Sequence, residues 1–231
     1  MFSYLTLKQK PEWRERDVAL RRAEKALKEP FRFITDERAE GSPGDAHDYF
    51  SNADYLWPNP DPESTQDYIS RDGRTNPANF EAHRHALRQM RRTVVYLAAG
   101  YHLTEDARYA ARAADYLRGF FLDEATFMRP EVPYAQYITG EGFRKGTGII
   151  DTLHLIDVPL AVRHLEKSPH FPPELAAGLR EWFRRYFGWM LSSQDGIEEM
   201  LTENNHAICY FLQAAVWARF TENPRLLDFC R

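Results

Sequence analysis

Asn204, Asn205 and His206 set two amides and an imidazole at three consecutive positions ahead of an apolar segment. The pattern predicts a helix over about 203–221, striped by Ile208, Phe211, Ala215 and Ala218, whose amino end carries this cluster. Backbone N–H groups and the helix dipole favour an anion there, and neutral imidazole accepts a proton near pH 7. The cluster therefore suits a carboxylate-bearing substrate and proton abstraction. A plain helix cap with a satisfied histidine fits the same three residues, since Asn is a preferred cap.

Two other groups of residues bear on chemistry. Tyr134 and Gln136 stand in a Tyr-Ala-Gln-Tyr run flanked by Arg129 and by Arg144 and Lys145, an array of phenol, amide and guanidinium groups able to line a groove for an acidic sugar. Gly146-Thr147-Gly148 opens an apolar segment but lacks the lysine and serine of a phosphate loop, so it reads as tight helix entry. His83 and His85 are two apart on a predicted helix and point to different faces, which excludes joint chelation of one metal. No metal site is expected.

Helices must position these groups. Phe80, Leu87, Met90, Val94, Leu97 and Tyr101 form one stripe over 79–101, and Thr104 with Glu105 and Asp106 starts a second helix carrying Ala107, Ala110, Ala114, Leu117 and Phe121. The two read as an antiparallel hairpin. Further helices are expected over about 147–166 and 173–191, with a more charged one over 12–29, and strand-like alternation is absent over any useful length. Residues 35–78 form a connection far longer than the usual roughly 4–6 residues, and it is rich in aromatics. The reading is all-α, one domain over 1–231.

Composition narrows the class. The chain of 231 residues is 43% hydrophobic and 28% charged, and a net charge of -4 argues against gripping nucleic acid through an overall field. Aromatics make up 14%, which suits flat-ring contact with sugars. Cys209 and Cys230 form no metal or disulfide spacing, and neither a membrane span nor an apolar leader run is present in the sequence. A leader removed before this numbering would leave the same residues, so the compartment is open, as is the oligomeric state.

Taken in order, His47-Asp48-Tyr49-Phe50, Tyr55-Leu56-Trp57-Pro58-Asn59-Pro60, Arg71-Asp72-Gly73, Asn76-Pro77, Tyr134-Ala135-Gln136, Gly148-Ile149-Ile150-Asp151-Thr152 and Asn204-Asn205-His206 resemble the alginate-lyase domain family. The resemblance covers most of the chain from about residue 40. It implies an incomplete (α/α) toroid of antiparallel helical hairpins and a polysaccharide lyase that cleaves a uronate-containing polysaccharide by β-elimination, with no metal or organic cofactor. It also implies Asn205 and His206 as catalytic residues, and Asn204, Tyr134, Gln136, Trp57, Arg71, His47, Tyr49 and Arg144 as substrate-binding ones. The family's catalytic tyrosine and arginine would fall beyond Arg231, which makes the chain part of a longer domain. Leu56 and Pro133 depart from the family's pattern and bear on substrate preference. A carbohydrate-binding relative without catalysis, or an inverting hydrolase using carboxylates such as Asp151, Glu203 or Glu141, are the competing expectations.

Overall fold

A computed structural model describes residues 13–138 and 146–229. Its helices are α1 (Trp13–Lys28), α2 (Ala82–Thr104), α3 (Ala107–Phe121), α4 (Asp157–Leu165), α5 (Pro173–Ser192), α6 (Gln194–Met200), α7 (Asn205–Phe220) and α8 (Pro224–Phe229). The short strands are β1 (Phe50–Asn52), β2 (Leu56–Pro58), β3 (Tyr68–Ser70) and β4 (Tyr134–Tyr137).

The predicted stripes become the core. Leu87, Met90, Val94 and Leu97 of α2 are buried against Ala110, Ala114, Leu117 and Phe121 of α3, while Phe80 and Ala107 are only half-buried. Each large apolar side chain so removed from water contributes about 1.5–3 kcal/mol. Glu105 turns left-handed (φ 58°) at the end of α2, and Asp106, rather than the expected Thr104, caps α3 by accepting the Arg108 N–H. Thr104 instead donates to the Gly100 carbonyl and accepts from the Asp106 N–H. Packing between the two helices follows from this tight connection.

Pro172 and Pro173 begin α5, whose Leu175, Leu179, Trp182, Tyr186 and Met190 are buried, as their spacing predicts. The helix expected over 203–221 forms, but with another inner face. Tyr210, Gln213, Ala214, Trp217 and Ala218 are buried, whereas Ile208 is 71% and Phe211 37% exposed. Apolar residues occur all round this helix, so periodicity alone could not choose the side.

The stretch read as one helix over 147–166 is a 3-10 helix, Gly146–Ile156, followed by α4. Its three-residue turn sorts the side chains by eclipsed rows. Ile149, Thr152 and Leu155 enter the core, where the Thr152 hydroxyl meets Tyr186 at 2.6 Å and the Gln213 carbonyl at 2.8 Å. Thr147, Ile150 and Leu153, with Asp151 and His154, face a cavity instead. An α-helical turn would have spread these residues around the axis.

Strands do occur, contrary to the expectation from alternation, but each spans only three or four residues. β2 and β3 form an antiparallel hairpin with Trp57 opposite Ile69. β1 pairs in parallel with β4, Phe50 opposite Tyr134 and Asn52 opposite Tyr137, with an irregular register between them. That pairing fastens the long 35–78 connection to the helical body. Among the described residues no helix is long and apolar enough to cross a membrane.

Candidate active site

The 3-10 helix, the amino end of α7 and the β2–β3 hairpin enclose a cavity of about 690 Å³. Asn204, Asn205 and His206 line one wall, Gln136, Thr147, Ile150, Asp151 and His154 another, and Tyr55, Leu56, Ser70 and Asp72 of the hairpin region a third. Arg88 of α2 adds a cation to the lining. The volume falls within the roughly 300–1,000 Å³ typical of small-molecule sites.

Asn204 is the cap of α7: its Oδ1 accepts the His206 N–H at 2.8 Å. The capping reading and the site reading therefore hold together, because the cap fixes the backbone that carries His206 into the cavity wall. On the side chain, His206 Nδ1 lies 2.8 Å from Oε1 of Glu199, a carboxylate 1% exposed at the end of α6. Burial pushes the Glu199 carboxyl up from its ordinary value, with His206 pulling in the other direction. Nε2 of His206 and the Asn205 amide have no hydrogen-bond partner among the described residues.

Asp151 organises the opposite wall. Its Oδ2 accepts from Ser51 Oγ at 2.6 Å, from Tyr49 Oη at 3.1 Å and from Arg84 Nε at 3.1 Å, and its Oδ1 accepts from Gln136 Nε2 at 3.3 Å. Arg84 also pairs with Asp54 and donates to the Asn52 carbonyl at 3.1 Å. Residues from β1, α2, β4 and the 3-10 helix are thus tied to one carboxylate. Gln136 sits at φ 51°, outside the usual region for a side-chain-bearing residue, with its N–H donated to Ser51 Oγ at 2.8 Å. Gly148 permits the close approach of the 3-10 helix to β4, since a Cβ there would lie 2.3 Å from the Ala135 carbonyl oxygen.

His154 Nδ1 faces Arg91 Nη2 at 3.3 Å, and Arg91 reaches Asp157 at 3.2 Å. Burial, then Arg91 and Arg88, lower the His154 pKa, so its imidazole stays neutral over a wider pH range. Because a guanidinium only donates, Nδ1 accepts and Nε2 carries the hydrogen.

Several residues singled out from the sequence lie outside the cavity lining. Tyr49 is fully buried with its hydroxyl on Asp151, and burial first, then Asp151, raises its pKa well above the ordinary phenol value. His47 stacks on Phe127 at 4.3 Å and holds the Phe127 carbonyl at 2.7 Å. Tyr134 packs edge-on against Tyr137. Trp57 donates to the Arg74 carbonyl at 3.0 Å and lies under the Arg71 guanidinium at 4.6 Å, so this pair braces the hairpin. Arg144, with Glu141, lies outside the described residues.

The alginate lyase family model matches residues 34–231. The chain belongs to the alginate lyase family. Among solved structures it is similar to a crystal structure of an alginate lyase from Bacteroides ovatus, with 34% identity and a TM-score of 0.87 over 93% of this chain. The chain spans 57% of that protein's length. No curated protein matches it. The helical layout is that of the family's toroid, with the cavity on the side where the 3-10 helix and α7 begin.

Sequence reasoning missed Glu199, Arg88 and His154. Arg84, Arg88 and Arg91 recur at four and three, one basic stripe on α2, and that signal was available. Glu199 offered none, because a helix end and a turn separate it from His206.

Proposed function

We propose that the protein is a polysaccharide lyase that cleaves a uronate-containing polysaccharide, of alginate or glucuronan type, by β-elimination. One observation carries the reading. His206, held at Nδ1 and unpartnered at Nε2 among the described residues, shares one cavity with the Asn205 amide, the amino end of α7 and the Arg88 cation.

The proton on C5 of a uronic acid is only weakly acidic, because the adjacent carboxylate resists the extra charge. Asn205, the first-turn amides of α7 and Arg88 supply donors and positive potential for that carboxylate. His206 Nε2 takes the C5 proton as general base. The electron pair of the C5–H bond forms the C4–C5 double bond, and the C4–O bond breaks with its electrons on the departing oxygen, which takes a proton from solvent while His206 later releases its own. Gln136 and Tyr55 line the same space and supply sugar contacts.

Two features favour this over hydrolysis. The Asp151 carboxylate is occupied by four donors, and Glu203 does not line the cavity, so neither is placed as one of two opposed carboxyl groups. Product analysis decides between them. Digests of a polyuronate panel, examined by mass spectrometry, contain unsaturated uronates at new chain ends if the reading holds. Saturated, hydrated products or no cleavage would overturn it.

A further inference from the structure

Resting on the lyase reading, we propose that Glu199 is a positioning residue that holds the Nδ1–H of His206 and so makes Nε2 the proton acceptor presented to the substrate.

The chain goes to some length to put a carboxyl group there. Ser193 caps α6 by accepting the Gly196 N–H, and a Cβ at Gly196 would collide with the Met190 carbonyl oxygen at 1.7 Å, so α6 begins folded back on the end of α5. After two turns the helix ends, with the Glu199 carbonyl accepting the Thr202 hydroxyl at 2.8 Å. The chain then reverses into the Asn204 cap, and Glu199 and His206 meet across the turn at 2.8 Å.

The location is a costly one for a carboxyl group. Glu199 is 1% exposed, its Oε2 is buried with no hydrogen-bond partner among the described residues, and its Oε1 is hydrogen-bonded to His206 Nδ1. An apolar residue of similar size would avoid that penalty. Perturbed, buried carboxyl groups of this kind cluster at functional sites.

What the carboxylate provides is a tautomer and a charge. An ionised carboxylate only accepts, so the hydrogen of a neutral imidazole facing it sits on Nδ1 and the lone pair on Nε2. When Nε2 takes the C5 proton, the imidazolium forms beside a waiting anion, which lowers the free energy of that step by the logic of histidine–carboxylate pairs in hydrolases. The titratable groups facing Glu199 from each packed element are Asp151 on the 3-10 helix, Tyr186 on α5, and Cys209 with His206 on α7, of which the phenol and the thiol are kept neutral by burial. Burial, and more weakly Asp151, raise the Glu199 pKa, and His206 is the partner that pulls it down toward the ionised form.

The test pairs kinetics with spectroscopy. Glu199→Gln keeps the size and a carbonyl for Nδ1–H but removes the charge. Expected are a fall in kcat of about 10²-fold, within the range of general base catalysis, a KM within about 2-fold, and an acid limb of the kcat/KM profile displaced to lower pH. Nitrogen-15 NMR of labelled wild-type histidines, with the His206 signals assigned by their loss in His206→Gln, should show protonated Nδ1 and bare Nε2. An active Glu199→Gln with the wild-type kcat and pH profile would overturn the proposal, as would a wild-type His206 carrying its hydrogen on Nε2. Should the variant fail to fold, the wild-type tautomer still decides. If the lyase reading itself fails, the wild type leaves polyuronates intact while the His206 tautomer is as proposed.

Discussion

Nδ1 of His206 lies 2.8 Å from Oε1 of Glu199, and the same histidine's backbone N–H is held 2.8 Å from the Asn204 side chain. Both ends of the residue are therefore fixed before any substrate arrives, and the neighbouring Asn205 lines the cavity.

Asn205 is exposed and bears no structural hydrogen bond among the described residues, so its loss should be felt in catalysis alone. Asn205→Ala is expected to lower kcat/KM on a cleaved polyuronate by about 10²-fold, the scale of losing one donor to a developing oxyanion. Thermal unfolding of the variant should match the wild type.

Removing the charge of Asp151 should be felt in stability. Asp151→Asn leaves the buried Arg84 with Asp54 as its nearest anion, and the one remaining amide oxygen cannot serve both the Tyr49, Ser51 and Arg84 donors and the Gln136 amide. A loss of about 3 kcal/mol is expected, as for other severed buried pairs. Urea denaturation followed by circular dichroism measures it.

Gly148 is where the 3-10 helix meets β4, 2.3 Å being far too short for a Cβ against the Ala135 carbonyl oxygen. Gly148→Ala forces the two apart and is expected to cost about 1–3 kcal/mol. Because Gln136 and Asp151 lie on either side of that contact, KM should rise as well, which steady-state kinetics on a soluble oligouronate would read.

His83 gives the fold a pH dependence. Its Nδ1 accepts the Phe50 N–H at 2.9 Å and its Nε2 donates to the Glu37 carbonyl at 2.9 Å, a neutral arrangement, and burial lowers its pKa from 6.5. The unfolded chain takes up a proton as pH falls below about 6.5 while the folded chain resists, so stability is lost on acidification. His83→Gln should unfold with a shallower dependence on pH between about 6.5 and 5 than the wild type. Asp157 and Glu199, whose pKa values burial raises, act in the opposite direction, so the variant must be compared with the wild type at each pH.

Long stripes were legible in the sequence. Leu87 to Leu97 and Leu175 to Met190 point inward because a single periodic face leaves one choice of core side. The amino end of α7 was legible too, since Asn204 caps it as its residue type predicts. What was not legible depends on partners distant in sequence. The 3-10 geometry of Gly146–Ile156 follows from packing against β4, α6 and α7, and β1 exists because β4 lies beside it 84 residues later at Phe50 and Tyr134. The contacts that hold Tyr49 on Asp151 and His47 on Phe127 also join residues 102 and 80 positions apart. Glu199 carries no signal in the sequence because only the turn between α6 and α7 brings it to His206.

In the proposed reaction His206 removes a proton to open a double bond in a polyuronate. Ultraviolet absorbance of the unsaturated product, followed with the protein and with His206→Ala on the same polymer, tests it most directly. Rising absorbance is expected with the wild type, and a rate lower by about 10²-fold or more with the variant. Equal rates for the two, or reducing ends released by the wild type without new absorbance, would contradict it.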